Sequence, residues 1–520
     1  MKLYTSPEHP LRIYLEDEYP NEISRLILSL DNKYSPLQDS NYPVNEDDIC
    51  SLVMYDEYAK KHYIVRGLLN IILKESLAIG ISCTNEVPIL DSSIEYPEID
   101  KYLLEGIELR EYQLEGISSS LAHKRGIIQV HTGGGKTEMM IGVSRYLLDH
   151  SDMNILICVP TTNLLYQTRD RMLQRGISDS VISLLGDGNK VDTSKRLIIS
   201  TVASAFMRLD NSDEYMEWLS HTECLMMDEA HHSKCRTWST LIDRVAPEYL
   251  LGFSAEPFHR DKDHIVSDLI LRGLLGPVIH RVTMDYLVAH GYLSKPYVLA
   301  VDTRYKGNMY QVIDWSVVNK SCIVQNTLRN EQIRDVAITL INDDKRPLLL
   351  VQQISHGQTL AEMISSLGYN VYMMTGGRKI SVFSGGNCID NYVDNDNLVL
   401  KDFNDGKIDA LIGTSTLDEG ADIPSLSAVV LAGGGKGRLK TIQKVGRAMR
   451  QKVGLNCTFI IDFRDRFNVV TKSHFNKRKA LYDEMGMDVY YLNDTASLQD
   501  LMRSVEDTRR RELESETNPG

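Results

Sequence analysis

From about residue 105 onward, short apolar runs recur between longer segments of helical periodicity. Strands are predicted at 127–130, 155–159, 197–200, 224–227 and 250–253. A second series follows at 348–352, 369–374, 410–413, 428–431 and 457–461. Apolar runs without alternation suit strands covered on both faces, and the intervening helices supply the two covers. The chain is therefore predicted to be α/β, with two parallel-sheet lobes joined near residues 291–303. The stretch 384–397, rich in Gly, Asn and Asp, reads as a surface loop.

What precedes the series is different. Residues 1–104 mix short apolar stretches with turn-forming Asn, Asp and Pro, which predicts a small α+β accessory domain. Residues 1–105 hold nine Lys and Arg against nineteen Asp and Glu, so −10 of the net −14 lies there. An acidic total leaves room for a local basic groove, but it argues against indiscriminate adhesion to nucleic acid. Domains are expected at 1–104, 105–293 and 294–475, with a charged C-terminal extension at 476–520 that frays at its end. No apolar run approaches the roughly 18 residues that cross a bilayer, and the first residues carry no export-type apolar core. The eight cysteines (50, 83, 158, 224, 235, 322, 388 and 457) include no CxxC pair. That spacing favours reduced thiols over zinc or a disulfide framework, and predicts a cytoplasmic protein.

The first predicted strand runs into Val130-His131-Thr132-Gly133-Gly134-Gly135-Lys136-Thr137, with a helix beginning near Glu138. Consecutive glycines let a backbone curl and aim its N–H groups at a phosphate, and the helix N-terminus adds positive potential. Lys136 can then reach the β- and γ-phosphates of ATP, and the Thr137 hydroxyl can ligate Mg²⁺. Another strand opens into Asp228-Glu229-Ala230-His231-His232. Such a strand carries both acids to the C-terminal edge of a parallel sheet, where ligands bind. Asp228 would hold Mg²⁺ and Glu229 would orient and deprotonate water. Adjacent histidines on one loop make a poor metal cage, so His231 and His232 are not read as ligands.

GGGKT with DEAHH resembles the superfamily 2 helicases, and further motifs follow in order over residues 105–470. Arg110-Glu-Tyr112-Gln113 is similar to the adenine-recognising segment, so the resemblance assigns Arg110, Gln113, Thr132, Gly133, Gly134, Gly135, Lys136 and Thr137 to nucleotide binding. Val159-Pro160-Thr161-Thr162 and Ser200-Thr201-Val202 resemble backbone-gripping motifs. Gly252-Phe253-Ser254-Ala255-Glu256-Pro257 resembles the motif that couples hydrolysis to movement, with Glu256 where relatives carry Thr. In the second lobe, Val351-Gln-Gln-Ile-Ser-His356 resembles the fourth motif. Thr414-Ser-Thr-Leu-Asp418-Glu-Gly420-Ala-Asp422-Ile-Pro424 resembles the fifth, and Gln443-Lys-Val-Gly446-Arg447-Ala-Met-Arg450 the sixth. The resemblance implies two RecA-like lobes, with Gly420 and Asp422 at the nucleotide and Thr161, Thr201 and Thr414 on DNA. Phe258, His259 and Arg260 follow the coupling motif and are candidates for a base or phosphate contact or, equally, for an ordinary place on the lobe surface. The wording GFSAEP, LDEGADIP and QKVGRAMR is most similar to the UvsW-like branched-DNA helicases of tailed phages. This implies action on forked or single-stranded DNA alongside recombination or replication proteins, in a bacterial host cytoplasm if phage-encoded.

Spacing supports the sixth motif independently. Gln443, Arg447 and Arg450 are spaced i, i+4 and i+7 and would share one helix face, where guanidinium groups could clamp a γ-phosphate. Three other readings remain open: the motor subunit of a restriction system, an RNA helicase, and a non-hydrolysing ATP-binding scaffold. Gln443 in place of the DEAD-box His disfavours RNA. Intact Lys136, Glu229 and Arg450 disfavour the scaffold.

Overall fold

The computed structural model describes residues 1–6, 9–34, 52–87, 94–209, 212–232, 236–258, 265–394, 398–414, 427–435 and 457–517. They form two compact units, residues 1–283 and 284–520.

The first unit contains two sheets. β1 (Lys2–Ser6), β2 (His9–Glu16), β3 (Met54–Asp56), β4 (Lys61–Val65) and β5 (Thr84–Asn85) form a five-stranded sheet in the order β3-β4-β2-β1-β5. Alternation along these strands sends Leu3, Ile13, Leu15 and Ile64 to one face. There they pack with Leu26 and Leu30 of the helix Glu22–Tyr34 and Ile72 of the helix Leu69–Ala78. The second sheet holds β6 (Arg125–Val130), β7 (Asn154–Val159), β8 (Ile182–Leu185), β9 (Leu197–Thr201), β10 (Thr222–Asp228), β11 (Tyr249–Ser254) and β12 (Val278–Val282). Its order is β12-β6-β11-β10-β7-β9-β8, and every pairing is parallel.

The accessory sheet shares one apolar core with the parallel sheet. A Cβ on Gly273, in the helix Ile265–Leu275, would lie 2.3 Å from Val65 and 2.9 Å from Leu68. Arg12 of β2 reaches Asp243 in the helix Arg236–Val245 through Nε at 3.0 Å and Nη2 at 2.6 Å. The sequence predicts a separate acidic domain, yet its apolar surface continues into the neighbouring lobe.

In the second unit β13 (Lys295–Asp302), β14 (Pro347–Leu350), β15 (Val371–Thr375), β16 (Lys379–Ser384), β17 (Asn387–Val393), β18 (Ala410–Gly413), β19 (Ala428–Val430), β20 (Cys457–Arg464) and β21 (Asp488–Leu492) form one sheet. The order is β17-β16-β15-β18-β14-β19-β20-β13-β21. All pairings are parallel except the meander β15-β16-β17.

Three expectations need correction. The stretch 384–397 is largely not a loop: β16 and β17 make a hairpin whose turn glycines, Gly385 and Gly386, have φ of +56° and +81°. β17 is exposed along its whole length at the sheet edge, so no buried face demanded an alternating pattern. Residues 291–303 are not merely a joint, because β13 is an interior strand. The extension beyond 475 supplies the edge strand β21 and the helix Leu498–Thr517. Among the described residues of that helix the stripe Leu498, Met502 and Val505 enters the core, with Leu501 packed beside it, which explains its charged composition.

Candidate active site

β6 ends at Val130, and the chain turns through residues 131–135 into the helix Lys136–His150. Gly133 and Gly135 have φ of +83° and +81°, conformations that a Cβ disfavours. At Gly135 space is also limiting, since a Cβ there would lie 2.3 Å from Gln113 Nε2. The helix Glu111–His123 holds this loop from the side. The buried Tyr112 donates its hydroxyl hydrogen to the Gly134 carbonyl at 2.9 Å and accepts from Arg110 Nη1 at 3.0 Å. Gln113 Oε1 accepts the Arg110 backbone N–H at 3.0 Å. Tyr112 is thus a loop-positioning residue. The sequence places it inside a motif, but only the fold shows where its hydroxyl ends.

The sheet order sets three strand ends side by side. β11 lies between β6 and β10, with Ser254 opposite Gln129 and Phe253 opposite Asp228. Asp228 is buried, and its Oδ1 accepts the Glu229 N–H at 2.9 Å. Glu229 has φ +49°, a left-handed backbone that non-glycine residues seldom adopt and that concentrates at functional sites. This turn brings Glu229 Oε1 to 3.7 Å from Lys136 Nζ. His231 Nδ1 lies 3.4 Å from Glu229 Oε2 and 3.2 Å from Ser254 Oγ. A line of polar contacts therefore joins the glycine loop, the acidic pair and the end of β11. Ser254, two residues before Glu256, makes the link from the end of β11. Below this line, a Cβ on Gly252 would lie 2.5 Å from Leu275 and 2.9 Å from Ala230.

A glycine loop with a lysine at the end of β6 and two acids at the end of β10, one strand away across β11, can bind and cleave a nucleoside triphosphate. Comparison with known proteins extends this. Residues 106–259 match the family model described as type III restriction enzyme, res subunit, and residues 329–452 match the helicase conserved C-terminal domain. Between them these two models, in tandem, span more than half the chain. The chain is a superfamily 2 helicase.

The helicase is 24% identical to the DNA 3′-5′ translocase XPB2 of Sulfurisphaera tokodaii, over 75% of this chain and 94% of that one. It is also 24% identical to the ATP-dependent DNA helicase uvsW of Enterobacteria phage T4, over 72% of each. Among solved structures, S. cerevisiae Dbp5 matches with a TM-score of 0.52 at 17% identity, covering 77% of the helicase and 93% of that chain. The Type ISP restriction-modification enzyme LlaBIII bound to DNA matches at 0.52 and 16% identity, covering 80% and 34%. These likenesses identify the fold as two RecA-like lobes, and in this chain the five-stranded accessory sheet precedes them.

The remaining site residues of the helicase fall in different places. Thr161 and Thr201, at the ends of β7 and β9, cap the helices Thr162–Gln174 and Val202–Met207. Their Oγ1 atoms accept the N–H of Leu164 at 3.4 Å and of Ser204 at 3.3 Å. Thr414 follows β18, largely buried, and its N–H donates to the Met374 carbonyl at 3.3 Å. Phe258 lies under the Arg272 guanidinium at 4.1 Å, a packing contact within the first unit. Gly420, Asp422, Gln443, Arg447, Arg450, His259 and Arg260 lie outside the described residues. Among the described residues, no helix is long and apolar enough to cross a membrane.

Proposed function

We propose that the helicase uses ATP hydrolysis to unwind or branch-migrate forked and junction DNA in recombination, repair or replication. The observation that carries the reading is the contact line Lys136–Glu229–His231–Ser254, which ties the phosphate loop to the acidic pair. Lys136 compensates charge on the β- and γ-phosphates, and Glu229 takes the proton of the attacking water. Thr137 and Asp228 would hold Mg²⁺, since both offer hard oxygen ligands, and the ion would offset charge on the phosphates. Arg110 and Gln113 would meet the adenine, beside the loop they already support. For Gly420, Asp422, Gln443, Arg447 and Arg450, which lie outside the described residues, a nucleotide contact is proposed from their motifs alone. Thr161, Thr201 and Thr414 would mark the DNA path. Their hydroxyl and backbone groups contact phosphate without reading sequence. The DNA-directed names of the XPB2 and uvsW relatives support DNA over RNA.

A second reading, the motor subunit of a restriction system, is favoured by the res-subunit description of the first matching family. ATPase assays with forked, four-way, single-stranded and blunt duplex DNA, and with RNA, decide between them. The proposal expects the strongest stimulation from forked or four-way DNA, weakening as salt rises. Equal stimulation by RNA, or none by any DNA, overturns it. Stimulation by blunt duplex as strong as by forks favours the restriction motor.

A further inference from the structure

The accessory sheet presents one surface that neither its own core nor the lobe beneath it uses. β3 and β4 form a hairpin whose tip, residues 57–60, is exposed throughout. At that tip Tyr58 is 98% exposed and Tyr55 46% exposed. His62 meets Tyr55 edge-on with ring centroids 5.0 Å apart, and Lys60 and Lys61 lie alongside, both exposed. The Lys61 ammonium donates to the Tyr4 hydroxyl at 2.6 Å, which fixes that cation beside the tip.

The tip is built to hold its shape. Asp56 Oδ1 accepts the N–H groups of Tyr58 at 3.0 Å and Ala59 at 2.9 Å, and Lys60 completes the turn at φ +53°. The other Asp56 oxygen accepts from Arg12 and from the Tyr14 hydroxyl. The same guanidinium binds Asp243, in the helix that follows the DEAHH segment. Arg12 therefore fastens the tip to the ATPase lobe.

A tyrosine held out in water adds little to packing, and the ordered turn leaves its ring free to meet a partner. The acidic balance of the module argues against uniform adhesion to phosphate and for a local patch. Two tyrosines followed by two lysines, with the exposed Glu57 between the rings, match unpaired nucleotides, whose bases offer π-faces and whose phosphates can meet Lys60 and Lys61. Paired bases hide those faces, so such a patch separates strand ends and forks from intact duplex. We propose that Tyr55, Tyr58, Lys60 and Lys61 form a binding site for unpaired DNA, with the tyrosines stacking on bases and the lysines meeting phosphates. This rests on the DNA reading above and names the surface that selects branched substrates.

Fluorescence anisotropy of the full chain with a forked DNA carrying a single-stranded arm, and with blunt duplex, tests it. Tyr58→Ala should weaken fork binding on the order of tenfold and duplex binding much less. Tyr58→Trp should restore the fork preference, and Lys60→Ala with Lys61→Ala should lower the salt dependence of fork binding. An unchanged thermal midpoint for Tyr58→Ala separates these effects from misfolding. Wild-type fork affinity in Tyr58→Ala overturns the assignment while leaving the DNA-helicase reading intact. A wild-type chain that binds no DNA overturns both.

Discussion

Gly67 and Gly273 meet backbone to backbone: a Cβ on Gly67 would lie 2.7 Å from the Gly273 carbonyl oxygen and 2.8 Å from its Cα. Main-chain atoms on both sides leave nothing flexible to move aside. Gly67→Ala should therefore overpack the joint between the accessory sheet and the first parallel sheet, costing about 1–3 kcal/mol. Thermal unfolding of the full chain should show a midpoint lowered by several degrees, on the order of 2–4 °C per kcal/mol. An unchanged midpoint would mean that the two sheets are not joined as described.

The phosphate loop gives a separable pair of effects. Lys136→Ala should lose nucleotide affinity and turnover together, whereas Glu229→Gln should keep affinity and lose turnover by roughly 10²–10⁴-fold. Gly135→Ala should resemble Lys136→Ala, because its Cβ would collide with Gln113 in a left-handed backbone. Binding of a fluorescent ATP analogue beside steady-state hydrolysis checks all three. Wild-type hydrolysis by Glu229→Gln would remove its assigned role.

Ser254 touches His231, and His231 touches Glu229, so the end of β11 reaches the carboxylate proposed to activate water through one imidazole. Ser254→Ala removes one hydrogen bond of about 0.5–1.5 kcal/mol. The expected result is a several-fold lower kcat with little change in KM for ATP, since no phosphate contact is lost. A rise in KM alone would assign Ser254 to nucleotide binding instead.

Asp56 makes stability depend on acid. Burial alone would raise its pKa, but the Ala59 N–H, the Tyr14 hydroxyl and the Arg12 charge outweigh burial and hold it below the usual value. A depressed folded-state pKa contributes stability that is present above the unfolded value of about 4 and is lost as pH falls through the folded one. Denaturant unfolding on going from pH 6 to pH 3 should show this loss, and Asp56→Asn should flatten part of the slope. Identical pH profiles for the two proteins would count against the network.

Much of this molecule can be read from its sequence wherever burial imposes a pattern. β7, β11, β14 and residues 224–227 of β10 are apolar runs buried on both faces, and candidate site residues follow β7, β10 and β11. β17 and the helix Leu498–Thr517 escape that reading, one lying at an exposed edge and the other burying a single stripe. Within the site, Lys136, Asp228 and Glu229 are legible because loop and strand types flank them. The role of Tyr112 is not, because it depends on an oxygen supplied 22 residues later. Nor does any local pattern link Arg12 to Asp243, separated by 231 positions.

The strand order of the second sheet also fixes when it can be finished. β13, its first strand in the chain, lies between β20 and β21, its last two. During synthesis β13 must therefore wait, with its edges unpaired, until nearly all of the remaining chain has left the ribosome. The first unit already has its last strand, β12, before that wait begins. Nascent chains halted between the two points should thus carry a folded amino-terminal half and a carboxy-terminal half still open to chaperones.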